Sequence, residues 1–312
     1  MKTSKAGRLR IGTRGSPMAL YQAGLVRGRL MAAHPFLREE DAAEIVVIRT
    51  TGDREQTRLL AEIGGKGLFT KEIEEALRDR RIDLAVHSLK DVETRLPDGL
   101  GIACVLPRDD PRDAFLSRRR ETLAELPQGA VVGTASLRRR AQLLRRRPDL
   151  RIVPFRGNAG TRLAKMDAGE VEATLLALSG LQRIGLAERA CEVLEPNVML
   201  PAVAQGALAI ECRADDAGTQ ALLAPLHDAE SAACVHAERA MLAALDGSCR
   251  TPIAGLATIA GGTLTLEGLL ITPDGTAEWR GQLSGPPADA AEIGRELGEG
   301  LLRDAGPGFL AK

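Results

Sequence analysis

Short apolar runs alternate with amphipathic stretches along the first two thirds of the chain, separated by loops rich in Gly, Ser and Arg. The runs at residues 9–11, 44–49, 83–87 and 100–106 predict strands. Residues 17–33 and 69–79 predict helices, the first capped by Ser16 with Pro17 at its opening position. Between them lie a loop at 12–16 and a long polar loop at 50–67 that ends in Gly64-Gly65-Lys66-Gly67. A turn-rich boundary at 107–111 follows, and the same grammar restarts. Strands are expected at 130–133, 151–155 and 172–177, helices at 137–147 and from 161 to 168, and one more strand at 207–212. Repeated βα units predict mostly parallel sheets with helices on both faces.

Two such stretches in similar order predict an α/β protein of two similar domains with a cleft between them. Residues 1–106 with 207–224 form the first expected domain and residues 112–200 the second. From residue 229 the character changes. A helix at 229–245, strands at 253–259, 263–271 and 276–283 with a Gly261-Gly262 hairpin turn, and a helix at 288–302 predict a small α+β domain over 229–312.

The chain has 312 residues, 44% hydrophobic and 27% charged, as expected of a globular protein. Its 42 basic and 42 acidic residues cancel, and aromatics are only 2%. Both facts speak against nucleic acid as a partner, which calls for a basic field and stacking platforms. No apolar run approaches the roughly 20 residues of a membrane span, so no membrane partner and a cytoplasmic location are expected. The five cysteines are dispersed and lack CxxC spacing, which fits neither a disulfide framework nor a zinc site, and no metal is expected.

The basic set is lopsided, with 35 Arg against 7 Lys. Most of that excess reads as composition, and Arg118–Arg120 and Arg145–Arg147 as solvated faces. The loop arginines differ because they follow strands and precede helix N-termini, where unpaired N–H groups hold anions. Arg14 and Ser16 follow the first strand, and Lys66 sits in the glycine loop. Ser88, Lys90 and Asp91 follow the strand at 83–87. Ser136, Arg138 and Arg139 open the helix at 137–147, Arg156 and Arg162 flank the next loop, and Arg183 closes residues 178–183. A guanidinium fork binds carboxylate or phosphate bidentately. So wide a spread suits many carboxylates along a chain better than one phosphate. Asp91 stands out as a lone acid among these bases. No Walker loop, GxGxxG or GxSxG elbow is present.

Cys104, Cys212 and Cys234 fall in apolar segments and are expected to be buried and inert. Cys249 lies in a Gly/Ser loop beside Arg250, a setting that favours thiolate.

Taken in order, residues 10–20 (RIGTRGSPMAL), 64–69 (GGKGLF), 86–92 (VHSLKDV), 133–139 (GTASLRR), 156–162 (RGNAGTR), 200–206 (LPAVAQG) and 247–249 (GSC) resemble the porphobilinogen deaminase family, also called hydroxymethylbilane synthases. The resemblance runs from about residue 8 to 302. It implies two domains similar to type II periplasmic binding proteins and a third that carries a cysteine, here Cys249, joined by a thioether to a dipyrromethane cofactor. It implies a transferase of tetrapyrrole (porphyrin and heme) biosynthesis. Such an enzyme joins four porphobilinogens head to tail with release of ammonia, then frees hydroxymethylbilane by hydrolysis. By match, Asp91 is the catalytic acid. Arg14, Arg138, Arg139, Arg156, Arg162 and Arg183 match binding arginines, and Ser16, Lys66, Ser88, Lys90, Ser136 and Gln205 match neighbouring contacts. A monomer is expected.

Three positions depart from the family pattern. Glu93 stands where Pro is common, Ala204 where Gly is usual, and Glu62 where some members have Lys. The first two put local backbone freedom in question. The loop at 50–67 is expected to be a mobile lid. The rival reading is a non-enzymatic two-lobed protein that captures a carboxylate ligand, but it leaves Cys249 and the third domain without a purpose.

Overall fold

The computed structural model describes residues 8–51, 70–119, 121–245, 251–306 and 309. Two compact units emerge, Met1–Arg108 with Ala207–Ala232 and Asp109–Gly206 with Ala233–Lys312.

In the first unit, β1 (Leu9–Arg14) leads to α1 (Pro17–Ala33), β2 (Ala43–Ile48), α2 (Lys71–Arg78), β3 (Leu84–Ser88) and β4 (Leu100–Val105). A later strand of this sheet, Leu208–Arg213, completes the order β2-β1-β3-(208–213)-β4. Strand β1 is longer than expected. It continues through Gly12, Thr13 and Arg14, each paired in parallel with a residue of β2, so Arg14 is a strand end and not a mid-loop residue. Alternation along β1 and β3 feeds two cores. Leu9, Ile11, Leu84 and Val86 meet Ala23, Val26 and Leu30 of α1, while Ala85 meets Ile73, Ala76 and Leu77 of α2 on the other face.

The second unit repeats this plan. It contains β5 (Asp113–Ser117), β6 (Val131–Gly133), α3 (Leu137–Arg146), β7 (Arg151–Val153), α4 (Ala159–Asp167), β8 (Ala173–Ala177), α5 (Leu178–Arg183) and β9 (Glu192–Leu194), in the sheet order β7-β6-β8-β5-β9. The strand at Leu208–Arg213 is therefore β10. Each sheet has two parallel pairings and two antiparallel ones, so the expectation of mostly parallel sheets is corrected. The reversed strands are those that enter a unit anew. Leu208 of β10 starts opposite Ser88 at the end of β3, and Asp113 of β5 starts opposite Ala177 at the end of β8. A strand that begins where its neighbour ends must run the other way.

After α6 (Ala217–Leu223), helix α7 (Ala229–Ala244) leads to the antiparallel sheet β11 (Ile253–Ala260), β12 (Thr263–Ile271) and β13 (Glu278–Gly285), covered by α8 (Ala290–Ala305). A Cβ on Gly294 or Gly298 of α8 would meet the Ala237 or Met241 carbonyl oxygen at 2.1 or 2.7 Å, so bare glycines set the close approach of α8 to α7. Ala254, Leu269 and Ile271 share a core with Ala141 of α3 and Leu200. The fold is thus a pair of similar α/β domains with a small C-terminal α+β domain.

The segment 200–206 links these layers. Glu238 of α7 is fully buried, and its carboxylate accepts from the Ala204 N–H at 2.6 Å and the Ala257 N–H at 2.8 Å. Ala204 has φ +58, in the left-handed region that glycine favours and alanine occupies at a cost. The departure noted at this position therefore carries strain. Two residues on, Gly206 has φ +89, and a Cβ there would lie 2.4 Å from the Asp109 carbonyl oxygen.

Two stability measurements test this account. Ala204→Gly should stabilise the protein by about 0.5–1 kcal/mol, because relief of the left-handed strain outweighs the added freedom of the unfolded chain. A lowered melting temperature would contradict the strain argument. The second concerns Glu74 on the buried face of α2. Burial, together with the charge of Glu211, holds its carboxyl above the ordinary 4.5. The folded protein therefore keeps this proton more tightly than the unfolded chain does. Stability from this group is full below pH 4.5 and is lost as pH rises through the folded value. Glu74→Gln should raise the melting temperature at neutral pH, with a gain that shrinks toward pH 4.5. A gain independent of pH would contradict this assignment.

Candidate active site

The polar residues of the first unit gather where parallel strands end. Arg14 closes β1, and Ser16 just beyond it caps α1 by accepting from the Ala19 N–H at 3.2 Å. Strand β3 lies beside β1 and ends at Ser88, followed by one 3₁₀ turn, Leu89–Asp91. The end of β3 is gripped on both faces. Ser88 bonds the Gln22 amide of α1 at 2.9 Å, and His87 bonds the Glu211 carboxylate of β10 at 2.9 Å, both members of the second pair being buried. The Leu89 N–H donates to the Ala207 carbonyl at 3.0 Å. Lys90 is half-buried and Asp91 exposed on a turn whose base is fixed. A carboxylate held this way can reach a ligand without the freedom of a loop side chain. Neither His87 nor Glu211 was singled out from the sequence, where an acid in the apolar run 207–212 gives no sign of its partner.

The second unit places its arginines at the equivalent edge. Ser136 caps α3 by accepting from the Arg139 N–H at 3.3 Å, and Asn158 caps α4 by accepting from the Thr161 N–H at 2.8 Å. Arg138 and Arg139 point inward and are buried. One Nη of Arg138 donates to Asp113 Oδ2 at 2.8 Å and the other to the Leu200 carbonyl at 2.7 Å. Arg139 donates to Asp113 Oδ1 through Nε at 3.2 Å and Nη2 at 2.7 Å, and to the Leu175 carbonyl at 3.0 Å. The Gln205 amide adds a fourth donor to Asp113 at 2.9 Å. Asp113, which opens β5, thus gathers three of the expected binding residues. Burial works against its ionisation, but the two guanidinium charges prevail and hold the carboxyl well below its usual range. Nothing in residues 108–113 marks this acid above Asp109 or Asp110.

The cations here outnumber their counter-charges. Arg183 has a partner in Asp109, at 2.7 Å, and the Gly206 carbonyl, at 2.8 Å. Arg156 does not: its Nη1 is buried and meets no acceptor among the described residues. Burial and repulsion from Arg139 and Arg156 push Arg162 down to about 10. A buried donor without an acceptor, beside a cation depressed by like charge, calls for an anionic ligand. The site's donors are guanidinium and amide groups, which suit carboxylates.

Lys66, Cys249, Glu62 and most of the loop 50–67 lie outside the described residues. The other cysteines are as expected where burial decides them. Cys104, Cys212 and Cys234 are buried, and burial pushes the first two thiols up to about 12 and about 11. The arginines read as a solvated face at 145–147 do more than that. Arg147 donates to the Leu123 and Leu126 carbonyls at 3.0 Å, and Arg145 donates to the Thr276 carbonyl at 3.2 Å.

Fold and site together define an anion-binding α/β protein whose two similar domains each present polar residues at the C-terminal edge of their parallel strands. Residues 9–221 match the family described as porphobilinogen deaminase, dipyromethane cofactor binding domain, and residues 232–303 match porphobilinogen deaminase, C-terminal domain. A porphobilinogen deaminase of Paracoccus denitrificans is 57% identical over 94% of this chain and 93% of its own. A chloroplastic porphobilinogen deaminase of Oryza sativa is 52% identical over 98% of this chain and 86% of its own. Among solved structures, a probable amino-acid ABC transporter extracellular-binding protein of Bacillus subtilis aligns at 10% identity over 71% of this chain and 90% of that one, with a TM-score of 0.41. The chain belongs to the porphobilinogen deaminase family, and with it to the transferase-type enzymes of tetrapyrrole synthesis that carry a dipyrromethane cofactor. No helix among the described residues is long and apolar enough to cross a membrane.

The unpaired charge predicts a trade-off at Arg156. In protein prepared without cofactor, Arg156→Gln should raise stability by about 1 kcal/mol, the low end of the cost of an unsatisfied buried donor. A loss of that size in a melting experiment would mean that Arg156 is already paired.

Proposed function

We propose that this protein condenses four porphobilinogens head to tail, releasing ammonia at each step, and then hydrolyses the product free as hydroxymethylbilane. The observation that carries the reading is the excess of buried guanidinium over carboxylate around Arg139, Arg156 and Arg162. Porphobilinogen bears an acetate and a propionate, so a chain grown from it gains carboxylates with each addition. Arg14, Arg138, Arg139, Arg156, Arg162 and Arg183 would hold those carboxylates, with Ser16, Lys66, Ser88, Lys90, Ser136 and Gln205 as neighbouring contacts. The dipyrromethane, attached through a thioether to Cys249, supplies the anchored end on which substrate is placed. The charge environment of the site fits such a group.

Asp91 acts on the substrate. Its carboxylate assists departure of the amino group, stabilises the cation left on the pyrrole through the ring N–H, and takes up the proton lost after coupling. The turn that carries it is braced by Ser88 with Gln22 and by His87 with Glu211, which keeps the carboxylate in one place through successive additions. Preorganised charge of this kind is among the largest contributions to catalysis. We further infer that the protein acts as a cytoplasmic monomer.

Two variants test the reading. Asp91→Asn should keep its fold and cofactor and lose at least about a hundredfold in kcat, the usual scale for a general acid–base group. Near-normal turnover would overturn the assignment. Intact-mass analysis should show a dipyrrole adduct on the purified protein that is missing from Cys249→Ala. An unmodified mass in protein competent for turnover would remove the anchor.

A further inference from the structure

Asp113 is not among the residues assigned to binding, yet three that are converge on it. They come from separate places in the sequence. Arg138 and Arg139 open α3, and Gln205 belongs to the segment 200–206 that precedes β10 and bonds Glu238 of α7. The carboxylate is fully buried, with Oδ2 taking Arg138 and Oδ1 taking both Arg139 and Gln205. Further bonds of this cluster go to backbone carbonyls, Leu200 for Arg138, Leu175 for Arg139 and Pro111 for Gln205. Gln142, one turn along α3, closes the ring by bonding both the N–H and the carbonyl of Leu200.

The arrangement has two physical consequences. Nε and Nη2 of Arg139 converge on the single oxygen Oδ1 and Nη1 is held by the Leu175 carbonyl, which fixes the plane of the guanidinium, so its unused N–H groups can point only one way. Charge is the second. One carboxylate faces two guanidinium groups, with Arg156 and Arg162 close enough to repel, and the cluster retains a net positive charge in a desolvated place. A second buried acid would neutralise the Arg138–Arg139 pair, and no acid would leave four cations to repel one another.

We propose that Asp113 is a positioning residue for the condensation reaction, which aims Arg139 at the ligand, with Gln205 bracing Asp113 itself, and leaves a net positive charge for the ligand's carboxylates to meet. The proposal rests on the reading of Arg138, Arg139 and Gln205 as binding residues. It predicts a defect in binding carboxylate-bearing ligands that exceeds any loss of stability.

Removal of Asp113 alone would leave two buried guanidinium groups without a counter-charge and so risks unfolding. The test therefore compares Arg138→Gln with the double variant Asp113→Asn/Arg138→Gln, which removes one charge of each sign. The readouts on full-length protein are KM and kcat for porphobilinogen, the fraction of chains carrying the dipyrrole mass, and the melting temperature. The double variant should show a KM at least about tenfold above that of Arg138→Gln, near the 1.4 kcal/mol that tenfold represents. Its kcat per adduct-bearing chain should differ less than threefold from that of Arg138→Gln, and a smaller fraction of its chains should carry the adduct. A lower melting temperature with KM and adduct equal to those of Arg138→Gln would make Asp113 merely structural and overturn the proposal. Arg139→Gln separates the two levels of inference. A normal KM there overturns the binding role of Arg139, and the aiming role of Asp113 with it. A raised KM there, with no difference between the double variant and Arg138→Gln, overturns the role of Asp113 alone. Should the double variant fail to fold, Asp113→Glu keeps the charge and displaces the carboxylate by one methylene. That variant should raise KM with the adduct reduced, and an unchanged KM would again overturn the proposal.

Discussion

A fully buried carboxylate between two guanidinium groups governs the second half of this molecule. Placing these charges out of water is costly unless geometry and hydrogen bonds are good. Here they are, since Asp113 receives four donors and the arginines also reach backbone carbonyls. The cluster ties the start of β5, the start of α3 and the segment 200–206 to one point. That segment in turn meets Glu238, which bonds β11. The result is an arginine-bearing edge and a C-terminal domain held by shared buried polar contacts as well as by the apolar core around Ala141, Leu200 and Ile271.

The first unit uses the same sheet plan for different chemistry. Its strand ends carry one arginine, Arg14, with serine, lysine and aspartate on the turn after β3, while those of the second unit carry mostly arginine. The brace at His87 and Glu211 sits on the side of β3 that faces α2, and the brace at Ser88 and Gln22 on the side that faces α1. Strand alternation makes this possible, since consecutive residues point to opposite faces. Holding one short turn from both sides gives an exposed carboxylate a fixed base.

Local features were legible from residue order alone. Ser16-Pro17 announced α1, and the restart after residue 111 announced a second domain of the same kind. The short strands β5 and β9 were not legible. Residues 113–117 and 192–194 are too brief to show a period, and Asp113 looks like a turn residue next to Asp109 and Asp110. Strand direction was misjudged for the same reason, because a βα pattern is silent about a strand that enters from elsewhere in the chain. Arg145–Arg147 looked like a solvated run, yet Arg147 reaches carbonyls more than 20 positions earlier in the sequence.

What the sequence determined by itself is the set of groups available: arginines after strands, a single acid at residue 91, capped helices with free N–H groups, and an ordered series of motifs that resembles one family. These are consequences of composition and short-range spacing. Only the tertiary structure decided which of those groups are already engaged. Arg138, Arg139 and Arg183 have protein partners, and a buried Arg156 nitrogen has none among the described residues. The reason is physical. Pairing and desolvation depend on distance through space between residues far apart in the chain, and spacing along the chain does not encode them.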